Sequence, residues 1–244
     1  GKQAVRRDWE HYLDEFTTNA ERHGAVVVRA ASAEDAVDAI HRICADAGVT
    51  LMVKGKSMAS EEIDLNDQLG RRGISAIETD LGEWLLQLDG DHPSHLVLPI
   101  IHRRRHQIAE ILERSLGRSF DPDDIPQMVA VARGELRQSF VSAGVGLSGA
   151  NALIASTGSV MVVSNEGNNR LTTSLPPIHI VVAGIEKLVP STSEAMQQLR
   201  LLARSATGQT ITTYTTFIAG PREHQRQFIV LLDMLKTRRE AEDA

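Results

Sequence analysis

The chain has a single cysteine, Cys44, among its 244 residues. One thiol cannot form a disulfide within the chain, and it cannot supply the thiolates that an iron-sulfur cluster or a cysteine zinc site needs. Because Cys44 continues the apolar helical stripe of Val37 and Ile40, we predict that it is a small core residue. The nine histidines lack the spacing of metal ligands, so we predict no metal site.

The sequence also lacks a basic excess and any long apolar run. Its formal net charge is −6, whereas general nucleic-acid binding needs a basic face. The longest apolar runs, such as 25–28 and 178–183, have the length of strands, and no segment resembles a signal peptide. We therefore expect a cytoplasmic protein with no nucleic-acid partner and no transmembrane segment. The basic run HRRRH at 102–106 is interpreted as a solvated helix face, with an acidic partner or ligand as the alternative.

Strand-like and helix-like patterns alternate along the chain. Strands are predicted at 25–30, 49–54, 74–78, 95–100, 152–156, 160–164, 178–183, 210–217 and 227–232. Helix starts are predicted at three serines, Ser32, Ser57 and Ser191, the last in a capping box with Glu194. The alternation implies parallel strands with right-handed crossovers, so the predicted fold class is α/β with a mainly parallel sheet and flanking helices.

The same patterns divide the chain into three parts. An amphipathic helical arm is predicted at 1–24, the main domain at 25–235 and a charged tail that frays at 236–244.

Glycines, small hydroxyl residues and amides are concentrated between residues 142 and 170. Glycine lets a backbone approach a ligand closely, while Ser, Thr and Asn offer short hydrogen-bonding groups, which suits an anionic or polyhydroxyl ligand. Ordinary turn chemistry is the alternative. The candidate ligand-binding residues of this segment are Gly144, Gly146, Ser148, Gly149, Thr157, Gly158, Asn165, Gly167, Asn168 and Asn169.

Glu166 is the one acid of this segment and follows a predicted strand. Since ligands in open α/β sheets lie outside the carboxyl ends of strands, Glu166 is the candidate catalytic residue. It could accept a hydrogen bond from a substrate hydroxyl or take its proton, while bracing of the loop is the alternative. His102 and His179 could also move protons, but His179 lies in an apolar strand and is predicted to be a satisfied core residue.

A second candidate group follows two other predicted strands. Lys54, Lys56 and Ser57 sit between a strand and a helix, as in an anion cradle, and the lysines could hold a carboxylate or a phosphate. Solvation of both lysines is the alternative. The segment lacks the spacing of a Walker loop, so nucleotide hydrolysis is not predicted. Thr79 and Asp80 end a strand at what should be the same edge and are further ligand-binding candidates.

Five stretches resemble the LUD domain of bacterial lactate-utilisation proteins, most closely the amino-terminal part of the iron-sulfur subunit. They are MVKGKSMASEEIDLN at 52–66, ETDLGEWLLQL at 78–88, GVGLSGANALIASTGSVMVVSNEGNNR at 144–170, LPPIHIVVAGIEKLVP at 175–190 and YTTFIAGP at 214–221. Together they span most of the chain, so the LUD domain is placed at 25–235. The resemblance implies a fold similar to that of ribose-5-phosphate isomerase, glucosamine-6-phosphate deaminase and the CoA-transferases.

The resemblance also implies a role in oxidising L-lactate to pyruvate with other subunits of a lactate-utilisation complex, and a small organic acid or phosphorylated ligand. In the iron-sulfur subunit, a region with CxxCxxCxxxCP motifs follows the LUD domain, and this sequence has no such motif. No cofactor is therefore expected within this chain, and 4Fe-4S clusters are expected in a missing C-terminal region if the chain is a fragment. Gly1 in place of methionine favours a fragment over a stand-alone LUD domain.

Two further functions remain as alternatives. Residues 164–167, SNEG, resemble with transposed order the SENG motif in which a CoA-transferase glutamate attacks an acyl-CoA. A self-contained enzyme of the isomerase or CoA-transferase type would use Glu166 in this way. The other alternative is a non-catalytic docking or sensing module, and a homo-oligomer is also left open.

Overall fold

Two β-sheets with helices packed around them organise the protein. The computed structural model describes residues 2–91 and 99–233, so most of the strand predicted at 95–100 and the whole tail predicted at 236–244 lie outside the described residues. The strands are β1 (Ala25–Ala30), β2 (Leu51–Lys54), β3 (Ser75–Glu78), β4 (Val145–Ser148), β5 (Ala152–Ile154), β6 (Ser159–Ser164), β7 (Ile178–Gly184), β8 (Leu188–Val189), β9 (Tyr214–Ile218) and β10 (Arg226–Leu232).

The helices alternate with these strands. They are α1 (Lys2–Arg7), α2 (Trp9–Arg22), α3 (Ala33–Asp46), α4 (Met58–Glu62), α5 (Leu65–Gly70), α6 (Leu81–Asp89), α7 (Arg105–Leu116), α8 (Ile125–Ser142), α9 (Asn168–Ser174) and α10 (Thr192–Thr207). No helix in the described ranges combines the length and the apolar character that crossing a bilayer requires.

The larger sheet has six strands in the order β1-β10-β7-β4-β2-β3, and every neighbouring pair is parallel. All seven residues of β7 are buried, which fits its central place and its continuous hydrophobicity. Helices α3 and α5 pack on one face of this sheet, and α6, α7 and α8 cover β2 and β3 on the other. The predicted class, α/β with a mainly parallel sheet and flanking helices, is confirmed.

The smaller sheet has the order β8-β5-β6-β9, and β6 is antiparallel to both of its neighbours. The strand predicted at 160–164 therefore does not belong to the parallel sheet. The prediction that places Glu166 at the carboxyl end of a parallel strand is wrong, because β6 pairs antiparallel in the smaller sheet and the rule on ligand position concerns open parallel sheets. Glu166 instead lies in the connection between β6 and α9.

Helices begin after all three predicted serines, because Ser32, Ser57 and Ser191 are the N-cap residues of α3, α4 and α10. The hydroxyls of Ser32 and Ser57 accept hydrogen bonds from backbone N–H groups three residues later. The capping box at Ser191 is wrong, because its hydroxyl binds the Glu194 carboxylate instead of a backbone group. The helix predicted after Ser57 is split into α4 and α5 at Asp64, which has a φ of +48°.

Candidate functional site

Strands β2 and β3 are neighbours, and their register places Lys54 beside Glu78 at the carboxyl edge of the parallel sheet. The Lys54 ammonium lies 2.7 Å from Glu78 Oε1 and donates a 3.1 Å hydrogen bond to Ser60 Oγ. Lys54 is only 1% exposed. Its charge is therefore balanced inside the protein, and a ligand at the surface cannot reach it.

Lys56 has the opposite setting, although it lies two residues later. Its ammonium is 2.5 Å from Glu83 Oε1, and its side chain is 25% exposed while that of Glu83 is 6% exposed. The backbone N–H of Lys56 donates a 2.7 Å hydrogen bond to Asp80 Oδ2. Lys56 is thus the accessible cation of this edge. Its ammonium pairs with Glu83 on α6, and its backbone binds Asp80 in the β3–α6 connection.

Three carboxyl groups around the lysines, those of Asp80, Glu166 and Glu61, have raised pKa values. Desolvation raises the pKa of Asp80 to about 7; the Lys56 N–H opposes this, while the charges of Glu83, Glu166 and Glu78 add to it. Glu166 is exposed as a residue, yet desolvation of its carboxyl group raises its pKa, against a hydrogen bond from the Leu81 N–H. The edge therefore holds a carboxyl group, that of Asp80, which can take up a proton near neutral pH.

The same influences act on Glu61 in α4. Desolvation raises its pKa, Lys54 and Lys56 lower it, and Glu78 and Glu83 raise it. Glu61 therefore belongs to the same electrostatic cluster.

A hydrogen-bond network fastens the Glu166 segment to the β2–β3 corner. Asn168, buried at the start of α9, donates a 3.2 Å hydrogen bond to Thr79 Oγ1, which donates at 3.0 Å to the Lys54 carbonyl. The Ser164 hydroxyl donates at 2.8 Å to the Glu166 carbonyl. Sequence-distant residues are thereby brought together at one edge, as the strand-end argument for Thr79 and Asp80 predicts.

Three further predicted residues adjoin this cluster. Asn169 packs on Gly55, where an added Cβ would lie 1.9 Å from Asn169 Oδ1. Gly149 packs on Ser57, which is 5% exposed and caps α4 with its hydroxyl. Gly167 is the N-cap of α9. The glycine backbone packs closely against side chains at Gly55 and Gly149, but the Ser57 hydroxyl already accepts a hydrogen bond from the backbone of α4.

Four other predicted residues lie away from the cluster. Gly144 precedes β4, at the amino edge of the sheet, and donates to the Leu51 carbonyl. Thr157 and Gly158 form the turn between β5 and β6, and Gly158 packs on the backbone of α2. The Asn165 amide donates to Gln209 Oε1 at 2.9 Å and so holds the loop before β9.

Ser148 and Gly146 are buried inside the sheet. The Ser148 hydroxyl pairs with His179 Nε2 at 2.9 Å, and Gln227 Nε2 lies 3.2 Å from His179 Nδ1. His179 is 0% exposed, and burial lowers its pKa to about 4, so it is neutral. The prediction that His179 is a satisfied core residue is confirmed. The same holds for Cys44, which is fully buried and whose pKa burial raises to about 11.

Two carboxylates of the cluster, Glu78 and Glu83, are not among the residues predicted from the sequence. Glu78 is the last residue of β3, and Glu83 lies in the first turn of α6, three residues after Asp80. That first turn is a favourable place for an acid because of the helix dipole. The sequence TDLGE at 79–83, which follows a strand, therefore indicates that the Glu83 carboxylate lies at the carboxyl edge of the sheet.

Comparison with known proteins gives the family of this chain. The model of the LUD domain matches residues 13–239. The protein named "Uncharacterized electron transport protein YkgF" of Escherichia coli (strain K12) is 43% identical over 220 residues, covering 90% of this chain and 46% of its own length. The protein named "Lactate utilization protein B" of Oceanobacillus iheyensis is 42% identical over 214 residues, covering 87% of this chain and 44% of its own length.

The chain thus spans about half the length of these curated relatives. A solved structure, a DUF162 family protein from Deinococcus radiodurans, shares the fold with a TM-score of 0.51 at 14% identity, covering 91% of this chain and 97% of its own. The family model alone covers most of the residues described here. The chain belongs to the LUD domain family.

Proposed function

We propose that this LUD domain serves lactate utilisation, as part of an iron-sulfur oxidoreductase complex that oxidises L-lactate to pyruvate with partner subunits. The proposal is supported by relatives named lactate utilization protein B and by one named as an electron transport protein. Those relatives are about twice as long as the matched region. In this proposal the redox centres belong to other parts of the complex.

The residues of this chain do not fit an iron-sulfur cluster. Such a cluster needs several cysteine thiolates, whereas the chain has one cysteine, Cys44, which is fully buried and has a pKa raised to about 11. No step of the function is therefore assigned to a cluster held here. The role left to this domain is to bind the organic acid.

The observation that carries the proposal is an accessible cation beside an exposed hydrogen-bond acceptor. The Lys56 ammonium can pair with the carboxylate of a small organic acid, and the Glu166 carboxylate can accept a hydrogen bond from its hydroxyl. Lys56 follows the carboxyl end of β2, the usual ligand position in parallel sheets, and Glu166 reaches the same place from the β6–α9 connection through its hydrogen bond from the Leu81 N–H. A 2-hydroxy acid such as L-lactate offers both functional groups.

Calorimetric titration tests this assignment. L-lactate, pyruvate and ribose 5-phosphate are titrated into the purified chain, and we expect heat with lactate or pyruvate. Lys56→Met should weaken binding by about tenfold or more, since a charged hydrogen bond contributes ~1.5–3 kcal/mol. The matched control is Lys187→Met, which removes a lysine paired with Glu186 outside the site. No heat with either acid, or equal affinity in Lys56→Met, would contradict the proposal and favour a docking module.

A further inference from the structure

At the carboxyl edge, one accessible ammonium group and three carboxyl groups belong to one cluster. Lys56 Nζ touches Glu83, the Lys56 N–H holds Asp80 Oδ2, and Glu166 accepts from the Leu81 N–H. Asp80 and Glu166 also repel one another, and Glu83 repels both. The group as a whole has more acid than one lysine balances, even before any ligand arrives.

The surrounding elements supply no further free cation to this group among the described residues. Beneath it, the Lys54 ammonium is occupied by Glu78, and Glu61 on α4 adds another acid. The α9 cation, Arg170, lies with its guanidinium over the Tyr214 ring, 5.5 Å from the centroid.

Two buried oxygen atoms near Asp80, on Glu78 and Asn66, lack a hydrogen-bond donor in the part of the chain that the structure describes. The Glu78 side chain is only 8% exposed, and its Oε2 atom is buried without a hydrogen-bond donor within the ranges described. The neighbouring Asn66 Oδ1 is likewise buried without a donor, while its amide nitrogen donates to Glu78 Oε1. Both atoms are acceptors without a donor among the described residues, so the cluster already has more acceptors than donors before an anion binds.

We infer that this site binds its organic acid together with a proton, which is taken up by Asp80. The inference rests on the function proposed above. An organic carboxylate that pairs with Lys56 brings a further negative charge to three carboxyl groups and one ammonium group. Repulsion among close carboxylates is relieved when one of them is protonated, as in other shared carboxyl sites. Asp80 is the natural acceptor because its Oδ2 lies 2.7 Å from the Lys56 backbone nitrogen, beside the lysine that binds the anion, and the charges of Glu83 and Glu166 already disfavour its ionised form.

The direction of the pH dependence follows from this arrangement. Without ligand, the Asp80 pKa is about 7, and an anion at Lys56 raises it further. The bound form therefore holds more protons than the free form above pH ~7, and the association constant falls as pH rises through that window. Below pH ~7 the free protein is already protonated, so the dependence flattens.

Calorimetry in buffers of different ionisation enthalpy measures the proton directly. L-lactate is titrated into the purified chain at about pH 8 in phosphate, HEPES and Tris, and we expect uptake of on the order of one proton per lactate. The association constant should fall up to ~10-fold per pH unit above pH ~7. Asp80→Asn should abolish the uptake and bind lactate at pH 8 at least as tightly as the unmodified chain, because its amide resembles a protonated carboxyl group and still accepts the Lys56 N–H.

The possible outcomes separate the two ideas. Lactate binding with the same heat in all buffers overturns the proton inference and leaves the proposed function standing. Proton uptake that persists unchanged in Asp80→Asn overturns the role of Asp80. If lactate and pyruvate give no heat at any pH between about 6 and 8.5, the proposed function falls and the inference falls with it. The measurements on the unmodified chain decide the question even if the variant does not fold.

Discussion

The two lysines of the KGKS segment show how position decides the role of a side chain. Lys54 ends β2 and is enclosed with Glu78, Ser60 and the adjoining helices, while Lys56 lies beyond the strand and stays partly exposed. A buried ion pair with a hydrogen bond keeps the corner together, whereas an accessible ammonium can meet a ligand. Of the predicted lysine pair, only Lys56 is placed where it can bind an anion.

Replacing Lys54 tests its structural role. Lys54→Met leaves the Glu78 carboxylate buried without its cation, so we expect the free energy of unfolding to fall by ~3–5 kcal/mol in urea denaturation. The control Lys187→Met removes half of an exposed pair and should change stability by less than ~1 kcal/mol.

A second variant checks the cause. Lys54→Met combined with Glu78→Leu removes both charges and should recover part of the loss, because no unpaired buried charge remains. Unchanged stability of Lys54→Met would show that the ion pair does not hold this corner.

Helix α9 is the element that carries the predicted site segment onto the sheet. It packs on β4 at Gly146, where an added Cβ would lie 1.9 Å from the Thr172 carbonyl oxygen. A side chain at this position would push α9 away. Because Asn168 begins α9 and Glu166 precedes it, the approach of helix and strand sets the position of both residues.

Gly146→Ala tests this contact between α9 and β4. We expect a loss of ~1–3 kcal/mol in unfolding free energy from overpacking, together with weaker lactate binding as the Glu166 segment shifts. Gly134→Ala is the matched control, because Gly134 is exposed in α8 with open space around its Cα. It should gain up to ~1 kcal/mol from helix propensity. Lactate affinity unchanged by Gly146→Ala would show that α9 does not position the site.

At the scale of the whole molecule, the N-terminal helix belongs to the core. Leu13, Phe16 and Ala20 of α2 are 0% exposed and pack with both sheets. The family match begins at residue 13, inside this helix. The segment predicted as an arm at 1–24 therefore packs on the main domain over much of its length.

Removal of residues 1–24 tests how far the rest depends on this helix. Each fully buried large apolar side chain contributes ~1.5–3 kcal/mol, and domains are stable by only ~5–15 kcal/mol, so the shortened chain should lose cooperative thermal unfolding. Asp14→Ala, an exposed change on the same helix, should shift stability by less than ~0.5 kcal/mol. A shortened chain that still melts cooperatively would make α2 a dispensable arm.

The sequence by itself determined most of the elements, the helix starts at Ser32, Ser57 and Ser191, the core roles of Cys44 and His179, and the family. These features depend on local periodicity, on capping chemistry or on long ordered motifs, all of which are readable along the chain. Strand β4 was missed because four residues with a glycine among them carry little pattern.

Only the tertiary structure decided which strand joins which sheet and which charges meet. It placed β6 in the antiparallel sheet, enclosed Lys54 with Glu78, and set Lys56 beside Glu83. Ion pairs of this kind join residues 24 and 27 positions apart, and no local propensity specifies them. They form because parallel pairing of β2 with β3 brings the carboxyl ends of both strands to one edge.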